Sequence, residues 1–230
     1  MTQEKPVVRL HLFFATENET AVILRQGPTR QFRLILWDRA TDRFEDGQWL
    51  KQNVYVDRCD LSPDGRHFIF FALNGDWSGP GEGAYTVLSR PPYFTALALL
   101  PEGNTWGGGG RFLSNREYFA WGGKDIIGRA EGMERLLVLG QEQGKELGIY
   151  SVKGKRRPYD VSLLEKFPPP SHTAALDRYD TQGGVLSRRV GGNLVPIRDF
   201  NDMSFEPIRA PYDTRDDRQG WHPLDGEAGR

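Results

Sequence analysis

The stretch RCDLSPDGRHFIFFA, residues Arg58–Ala72, decides the fold class. Ser62–Gly65 reads Ser-Pro-Asp-Gly, which is typical of a tight turn because proline presets the first turn torsion and glycine accepts a positive φ. Phe68–Phe71 follows as four apolar residues with no polar residue between them. Since such a run is apolar on both faces, it predicts a strand that is covered on both sides.

The rest of the chain has the same organisation of short apolar runs separated by glycine, proline, aspartate and asparagine. This pattern is typical of strands joined by turns. We expect strands at 7–15, 21–24, 33–37, 84–88, 94–100, 118–121, 136–139, 147–152, 185–190 and 194–200. A helix is conceivable at Lys124–Leu137, although Gly128 and Gly132 interrupt it, and a helical turn at Val161–Lys166. The predicted fold class is all-β with antiparallel sheets.

Composition and charge argue against several classes of function. The 230 residues include 30 Lys and Arg and 31 Asp and Glu, a formal net charge of -1, so no general attraction to nucleic acid or to an anionic membrane is expected. No apolar run approaches the ~20 residues of a membrane-spanning helix, and the first residues lack a secretory signal pattern. With the single cysteine Cys59, these features predict a cytoplasmic protein.

The chain is predicted to form one domain over residues 1–210. A linker-like loop is expected at 153–171, a segment that contains the basic run Lys153–Arg157 and the triple proline Pro168–Pro170. Residues 211–230 are polar and punctuated by glycine, which is typical of a flexible tail.

Two segments resemble parts of the repeat of WD-repeat and TolB-type β-propellers. Leu61–Ala72 is similar to the start of a blade, where a Ser-Pro-Asp-Gly turn precedes a buried strand. Within Arg33–Leu50, the run LWD is similar to the end of a blade strand, and weaker echoes occur at Phe112–Trp121 and Arg178–Ser187. The resemblance implies a small, irregular β-propeller-like arrangement. Because the echoes are unevenly spaced, a β-sandwich or barrel is the alternative.

Residues with catalytic potential are few and form no recognised motif. The four histidines are scattered, and no serine lies in a Gly-x-Ser-x-Gly element. Cys59 and His67 are one conceivable nucleophile and base, but an unpaired cysteine before a turn is more often a buried small residue. A hydrolase would need carboxylates that meet in a central pocket; the candidates are Asp57, Asp60, Asp177 and Asp180. Carboxylates beside turns are usually surface groups.

Two loops carry tryptophans that have few apolar neighbours in sequence. Trp77 lies in Asn74–Gly83, and Trp106 opens the glycine run Trp106–Arg111. Exposed tryptophans are frequent interface anchors, and loops on a rigid β scaffold often carry function. The alternatives are that Trp77 folds back on the core and that the glycine run cradles an anion. We expect the other strand-end tryptophans to pack in the core; these are Trp37, Trp49 and Trp121.

We therefore predict a non-catalytic module that binds a protein partner through a loop-rich face. The predicted partner-binding residues are Trp77, Trp106, Arg111 and Arg116. The alternatives are a hydrolase with acidic residues in a central pocket and a sensor of a small ligand or carbohydrate. No metal, cofactor, nucleic acid or membrane is expected as a partner. The chain as a whole resembles bacterial proteins of this type, which implies no particular activity.

Overall fold

A computed structural model of the protein describes residues 8–139, 148–151, 156–157 and 169–213. Within these ranges the chain is mostly β-strand, so the all-β prediction is confirmed. One short α-helix, Pro170–Thr173 (α1), and three 3-10 turns, Val56–Arg58, Leu176–Arg178 and Gln182–Gly184, accompany the strands. None of the described helices is long and apolar enough to cross a membrane.

The first sheet is an antiparallel meander of four strands. Its strands are β1 (Arg9–Phe14), β2 (Thr20–Gln26), β3 (Phe32–Asp38) and β4 (Arg43–Leu50). The Gly27 N–H donates to the Gln31 carbonyl at 2.8 Å and so closes the connection between β2 and β3.

The second sheet is built around the strand that follows the Ser-Pro-Asp-Gly turn. Its strands are β5 (Asn53–Val54), β6 (Asp60–Leu61), β7 (Phe68–Leu73), β8 (Ala84–Ser89) and β9 (Ala96–Pro101). Both β5 and β6 pair with the same edge of β7, at its two ends.

The predicted tight turn forms between β6 and β7. The Gly65 N–H donates to the Ser62 carbonyl at 2.8 Å, and the Ser62 hydroxyl donates to the Asp64 carboxylate at 2.7 Å. Gly65 has φ +75°, and a Cβ there would lie 2.7 Å from the Cγ2 of Thr20. Glycine is therefore required for both conformation and space. The following strand is buried on both faces as predicted.

The third and fourth sheets complete the described fold. The third contains β10 (Gly110–Phe112), β11 (Glu117–Ala120), β12 (Glu134–Leu139), β13 (Gly148–Ser151) and β14 (Arg156–Arg157). The fourth contains β15 (Tyr179–Asp180), β16 (Val185–Val190) and β17 (Asn193–Asp199). Pairing is antiparallel throughout except between β11 and β12.

The helix that was conceivable at Lys124–Leu137 does not form, and most of this segment is an irregular loop that leads into β12. The loop is held against β9: the Asp125 carboxylate accepts the Leu99 N–H at 3.0 Å, and the Arg129 N–H donates to the Leu97 carbonyl at 2.8 Å. These bonds pair backbone groups of the loop and of β9 that would otherwise need another partner. The other predicted helical turn, at Val161–Lys166, lies outside the described residues.

Three apolar clusters join the sheets face to face in the spatial order fourth, first, second, third. Phe13 and Leu24 of the first sheet pack against Phe68 and Phe70 of the second. The opposite face of the first sheet packs against the fourth; this cluster includes Phe14, Trp37, Tyr179 and Phe200. The opposite face of the second packs against the third, with Ile69, Leu88 and Tyr118. The described strands form no closed barrel.

The segment after β17 runs back across the outer parts of the first and second sheets. Arg25 donates to the Phe200 carbonyl at 2.7 Å, Gln48 to the Ile208 carbonyl at 2.8 Å, and Tyr212 to the Thr95 carbonyl at 2.9 Å. The predicted tail, 211–230, thus begins with residues that are packed on the domain, and its remainder lies outside the described ranges. Most of the predicted linker at 153–171 also lies outside them.

Candidate functional site

Two regions contain most of the residues singled out by the sequence. The first, which we call the hub, is where β6 contacts β1, β10 and α1. Its centre is Asp60, which is 4% exposed. One carboxylate oxygen accepts the Leu61 N–H and the Ser171 hydroxyl, and the other accepts the Phe112 N–H at 2.8 Å. Asp60 therefore fastens β6 to β10 and to α1.

Burial disfavours the charged forms of Asp60 and Arg111 at the hub. Removal from water raises the pKa of Asp60 to about 6, against the opposing effects of its three hydrogen bonds and of the Arg111 charge. Burial likewise lowers the pKa of Arg111, which the nearby Asp60 partly offsets. The expectation that Asp60 is a surface carboxylate is wrong, because the contacts of β6 with β7, β10 and α1 enclose it.

The two hub histidines are held in neutral form. His172 Nε2 lies 2.9 Å from the Cys59 carbonyl oxygen, which can only accept, so this nitrogen carries the proton. His11 Nε2 lies 2.9 Å from the side-chain oxygen of Gln26. Burial lowers the pKa of both rings. Because His172 Nε2 donates to a carbonyl, this nitrogen is not free to accept a proton from the neighbouring Ser171.

Cys59 has the environment of a structural residue. It is 1% exposed, its thiol donates to the Tyr55 carbonyl at 3.4 Å, and burial raises its pKa. Within the described residues no hydrogen bond joins it to His67. A neutral thiol without a base is a poor nucleophile, so the geometry does not favour the Cys59–His67 pair.

The other candidate carboxylates differ from Asp60 in their exposure and in their partners. Asp57 and Asp177 are exposed, and Asp180 pairs with Arg189 at 3.0 Å. Across the part of the chain that the structure describes, no group of three His, Cys, Asp or Glu side chains is arranged to hold a metal ion.

The second region is formed by the loops 74–83, 102–109 and 121–124, and we call it the tryptophan face. Its three indoles are 55% (Trp77), 92% (Trp106) and 49% (Trp121) exposed. The loops touch one another. The Trp121 N–H donates to the Gly109 carbonyl at 2.9 Å, and a Cβ on Gly103 would lie 3.1 Å from Glu82 Oε2.

Local packing fixes the position of Trp77. Its ring lies directly against Gly83, where a Cβ would come within 2.1 Å of Cε3. The Asp76 carboxylate accepts the Gly79 N–H at 3.1 Å, and the Asn74 N–H donates to the Gly83 carbonyl at 3.0 Å. The loop is thus closed by its own hydrogen bonds, and half of the indole is left in solvent.

Arg58 holds the loop that carries Trp106. Its guanidinium donates to the carbonyls of Thr105, Trp106 and Gly107, and it stacks 5.2 Å from the centre of the Phe71 ring. The most exposed of the described tryptophans therefore lies on a loop whose backbone is held by Arg58.

The glycine run that ends in Arg111 is explained by close packing. A Cβ on Gly108 would lie 2.1 Å from the Phe71 ring, and one on Gly109 would lie 2.5 Å from the Arg58 carbonyl oxygen. The Gly109 N–H donates to the Thr86 hydroxyl at 2.7 Å, so it is not available to an anion. Of the alternatives for this run, the geometry favours a tightly packed connection.

The predicted site residues are divided between different parts of the fold. Trp77 and Trp106 are exposed on the tryptophan face. Arg111 is 7% exposed and lies at the hub, so it is not on the predicted loop surface. Arg116 is exposed, but its neighbour Asn115 accepts the Asp64 N–H at 2.9 Å, which places it at the opposite end of β7 from Trp77.

The expectation that Trp121 packs in the core is wrong, because its side chain is half-exposed. The glycines that follow it, Gly122 and Gly123, are the signal that the strand ends there and that the indole lies on a loop. The expectation for Trp37 is confirmed, since it is fully buried. Trp49 also packs, with the guanidinium groups of Arg25 and Arg33 each 5.3 Å from its ring.

Comparison with protein-family models, with curated proteins and with solved structures finds no match for this chain.

Proposed function

We propose that this protein is a non-catalytic interaction module that binds a protein partner through the tryptophan face. The observation that carries the proposal is the exposure of Trp77, Trp106 and Trp121 on three adjoining loops. Tryptophan is the residue type most enriched among the side chains that dominate binding energy. Leaving three indoles in water is unfavourable for an isolated protein, and a partner that covers them would recover that free energy.

The rigidity of the face supports the same function. The loop that carries each indole is held by local contacts: Gly83 packs on the Trp77 ring, Arg58 donates to the Trp106 carbonyl, and the Trp121 N–H donates to the Gly109 carbonyl. Loops that are already ordered lose less conformational entropy on binding. A preorganised aromatic surface is therefore better suited to recognition than a mobile one.

We further propose that the four sheets are a small, irregular relative of a β-propeller. Face-to-face packing of successive sheets and the meeting of β1, β6 and β10 at the hub support this arrangement. The LWD run falls at the end of β3, the third strand of the first sheet. Shared pairing of β5 and β6 with β7, and the parallel β11–β12 pair, are the irregular features.

The proposal is tested by affinity capture from the native host with the wild-type protein and three single variants, Trp77→Ala, Trp106→Ala and Trp121→Ala. Leu194→Ala is the matched control, because Leu194 is 47% exposed on β17, far from the tryptophan face in the sheet order. We expect one partner to be retained by wild type and control and lost by the tryptophan variants, with unchanged thermal stability. Equal recovery by all variants would overturn the proposal.

A further inference from the structure

We infer that the segment recognised by the tryptophan face is a cationic peptide, rich in arginine or lysine. This inference rests on the proposed function and names the chemistry of the partner. It is carried by the charges that surround the three indoles.

The loops of the face are acidic, although the chain as a whole is nearly neutral. They contain three carboxylates and one amine: Asp76, Glu82, Glu102 and Lys124. Among the described residues, no ion pair neutralises any of the three carboxylates. Asp76 and Glu82 are exposed beside Trp77. Because the exposed charges next to Trp77 are negative, they favour a positively charged partner and speed its encounter.

A third carboxylate, Glu102, lies below the loops. Its carboxylate lies close to Gly107 and Gly122, and its Oε2 atom is buried without a hydrogen-bond partner among the described residues. Burial raises the pKa of Glu102, with the charges of Arg135 and Arg58 acting in the opposite direction. Neither arginine forms an ion pair with it in the described structure.

The arginines beneath the face are already occupied by backbone carbonyls. Arg58 donates to the 105–107 loop, and Arg135 donates to the carbonyls of Ala120, Gly122 and Gly123. Their hydrogen-bonding groups are turned to the loop backbone, so they offer little to an incoming anion. The groups that a partner would meet beside Trp77 are the indole and the exposed carboxylates of Asp76 and Glu82.

Indole rings complete the match to a cation. Guanidinium and ammonium groups bind over aromatic faces, and tryptophan is the strongest of the aromatic side chains in this respect. The protein uses the same contact internally, where Arg25 and Arg33 lie 5.3 Å from the Trp49 ring. An arginine or lysine of the partner would meet an indole and a carboxylate within one surface.

The inference is tested with a displayed library of random peptides of about 12 residues, selected on the full-length chain; a segment of this length spans an interface patch of ordinary size. Enriched peptides are then synthesised, and their affinity is measured by fluorescence anisotropy. Each is compared with a version in which arginine and lysine are replaced by glutamine. Binding is measured to wild type, to Trp106→Ala, to the double variant Asp76→Asn, Glu82→Gln, and to the Leu194→Ala control.

We expect the selected peptides to carry net positive charge and to lose at least about tenfold in affinity for the double carboxylate variant and in high salt. If Trp106→Ala abolishes binding but the Asp76→Asn, Glu82→Gln double variant binds as tightly as wild type, this inference is overturned. The proposed function would then still stand. Binding that survives the Trp106→Ala substitution would instead count against the proposed function. Failure to enrich any cationic peptide, or selective binding of neutral oligosaccharides to the same face, would also overturn the inference.

Discussion

Replacing Asp60 with asparagine should change how the stability of this protein depends on pH. Asp60 is enclosed at the hub, and burial raises its pKa to about 6 from an ordinary value of 3.8. The folded protein therefore holds this proton more tightly than the unfolded chain does. Its contribution to stability is fully present below about pH 4 and is lost as pH rises toward about 6.

The size of the effect follows from the two pKa values. Each pKa unit corresponds to ~1.4 kcal/mol, so ionisation of Asp60 should lower the free energy of unfolding by ~3 kcal/mol. Asparagine does not ionise, so the variant lacks this dependence. The difference in stability between wild type and Asp60→Asn should fall by the same ~3 kcal/mol between acidic and neutral pH.

Urea unfolding, followed by tryptophan fluorescence at a series of pH values, measures this difference. Taking the difference is necessary because burial lowers the pKa of His11, His67 and His172. These histidines must become charged in acid, so both proteins lose stability below about pH 6.5, the ordinary histidine pKa. The histidine contribution is common to both proteins and cancels.

A second variant sharpens the test. Ser171→Ala removes the hydroxyl that donates to Asp60, a bond that lowers the pKa of this carboxyl. The stability loss of this variant should therefore extend to higher pH than that of wild type. A wild-type stability that rises with pH relative to Asp60→Asn would refute the reasoning, since the hydrogen bonds and the Arg111 charge would then outweigh burial.

Three further predictions concern single residues. Gly65→Ala should lower the free energy of unfolding by about 2 kcal/mol in urea titrations, because alanine is strained at positive φ and its Cβ would meet Thr20. Arg58→Ala should cost about 2 to 3 kcal/mol and should speed limited proteolysis at the Trp106 loop, since three carbonyl bonds are lost. Cys59 should react with Ellman's reagent only as fast as the protein opens, because the thiol is buried and neutral.

Local features of the sequence predict the fold around β7 well. The Ser62–Gly65 turn depends on proline and glycine torsions within four residues, and the burial of Phe68–Phe71 depends on an unbroken apolar run. The turn and the buried strand are therefore each determined by residues that are adjacent in sequence. The exposure of Trp77 and Trp106 follows from the same logic, because glycine and proline around them leave no local apolar surface to cover an indole.

Features set by distant contacts are not predictable in this way. Asp60 is buried because elements that are distant in sequence pack around it. One of them is α1, whose Ser171 lies 111 residues away and donates to Asp60. The segment after Lys124 is a loop because it forms hydrogen bonds with β9. β9 is an earlier strand that is not adjacent to the loop in sequence. Arg111 sits close to the exposed Trp106 in sequence, but the contact of β10 with β6 places it at the hub.

The order of the sheets in space has a consequence for synthesis on the ribosome. The first sheet is synthesised before the fourth, but one of its faces is covered by Tyr179 and Leu186 of the fourth sheet and by Phe200, which follows β17. The rings of Phe14 and Trp37 therefore stay uncovered until nearly the whole domain has left the exit tunnel. Contacts this distant in sequence slow folding and extend the period in which a nascent chain is prone to aggregate. We expect nascent chains that stop before residue 170 to need chaperone protection that the complete chain does not.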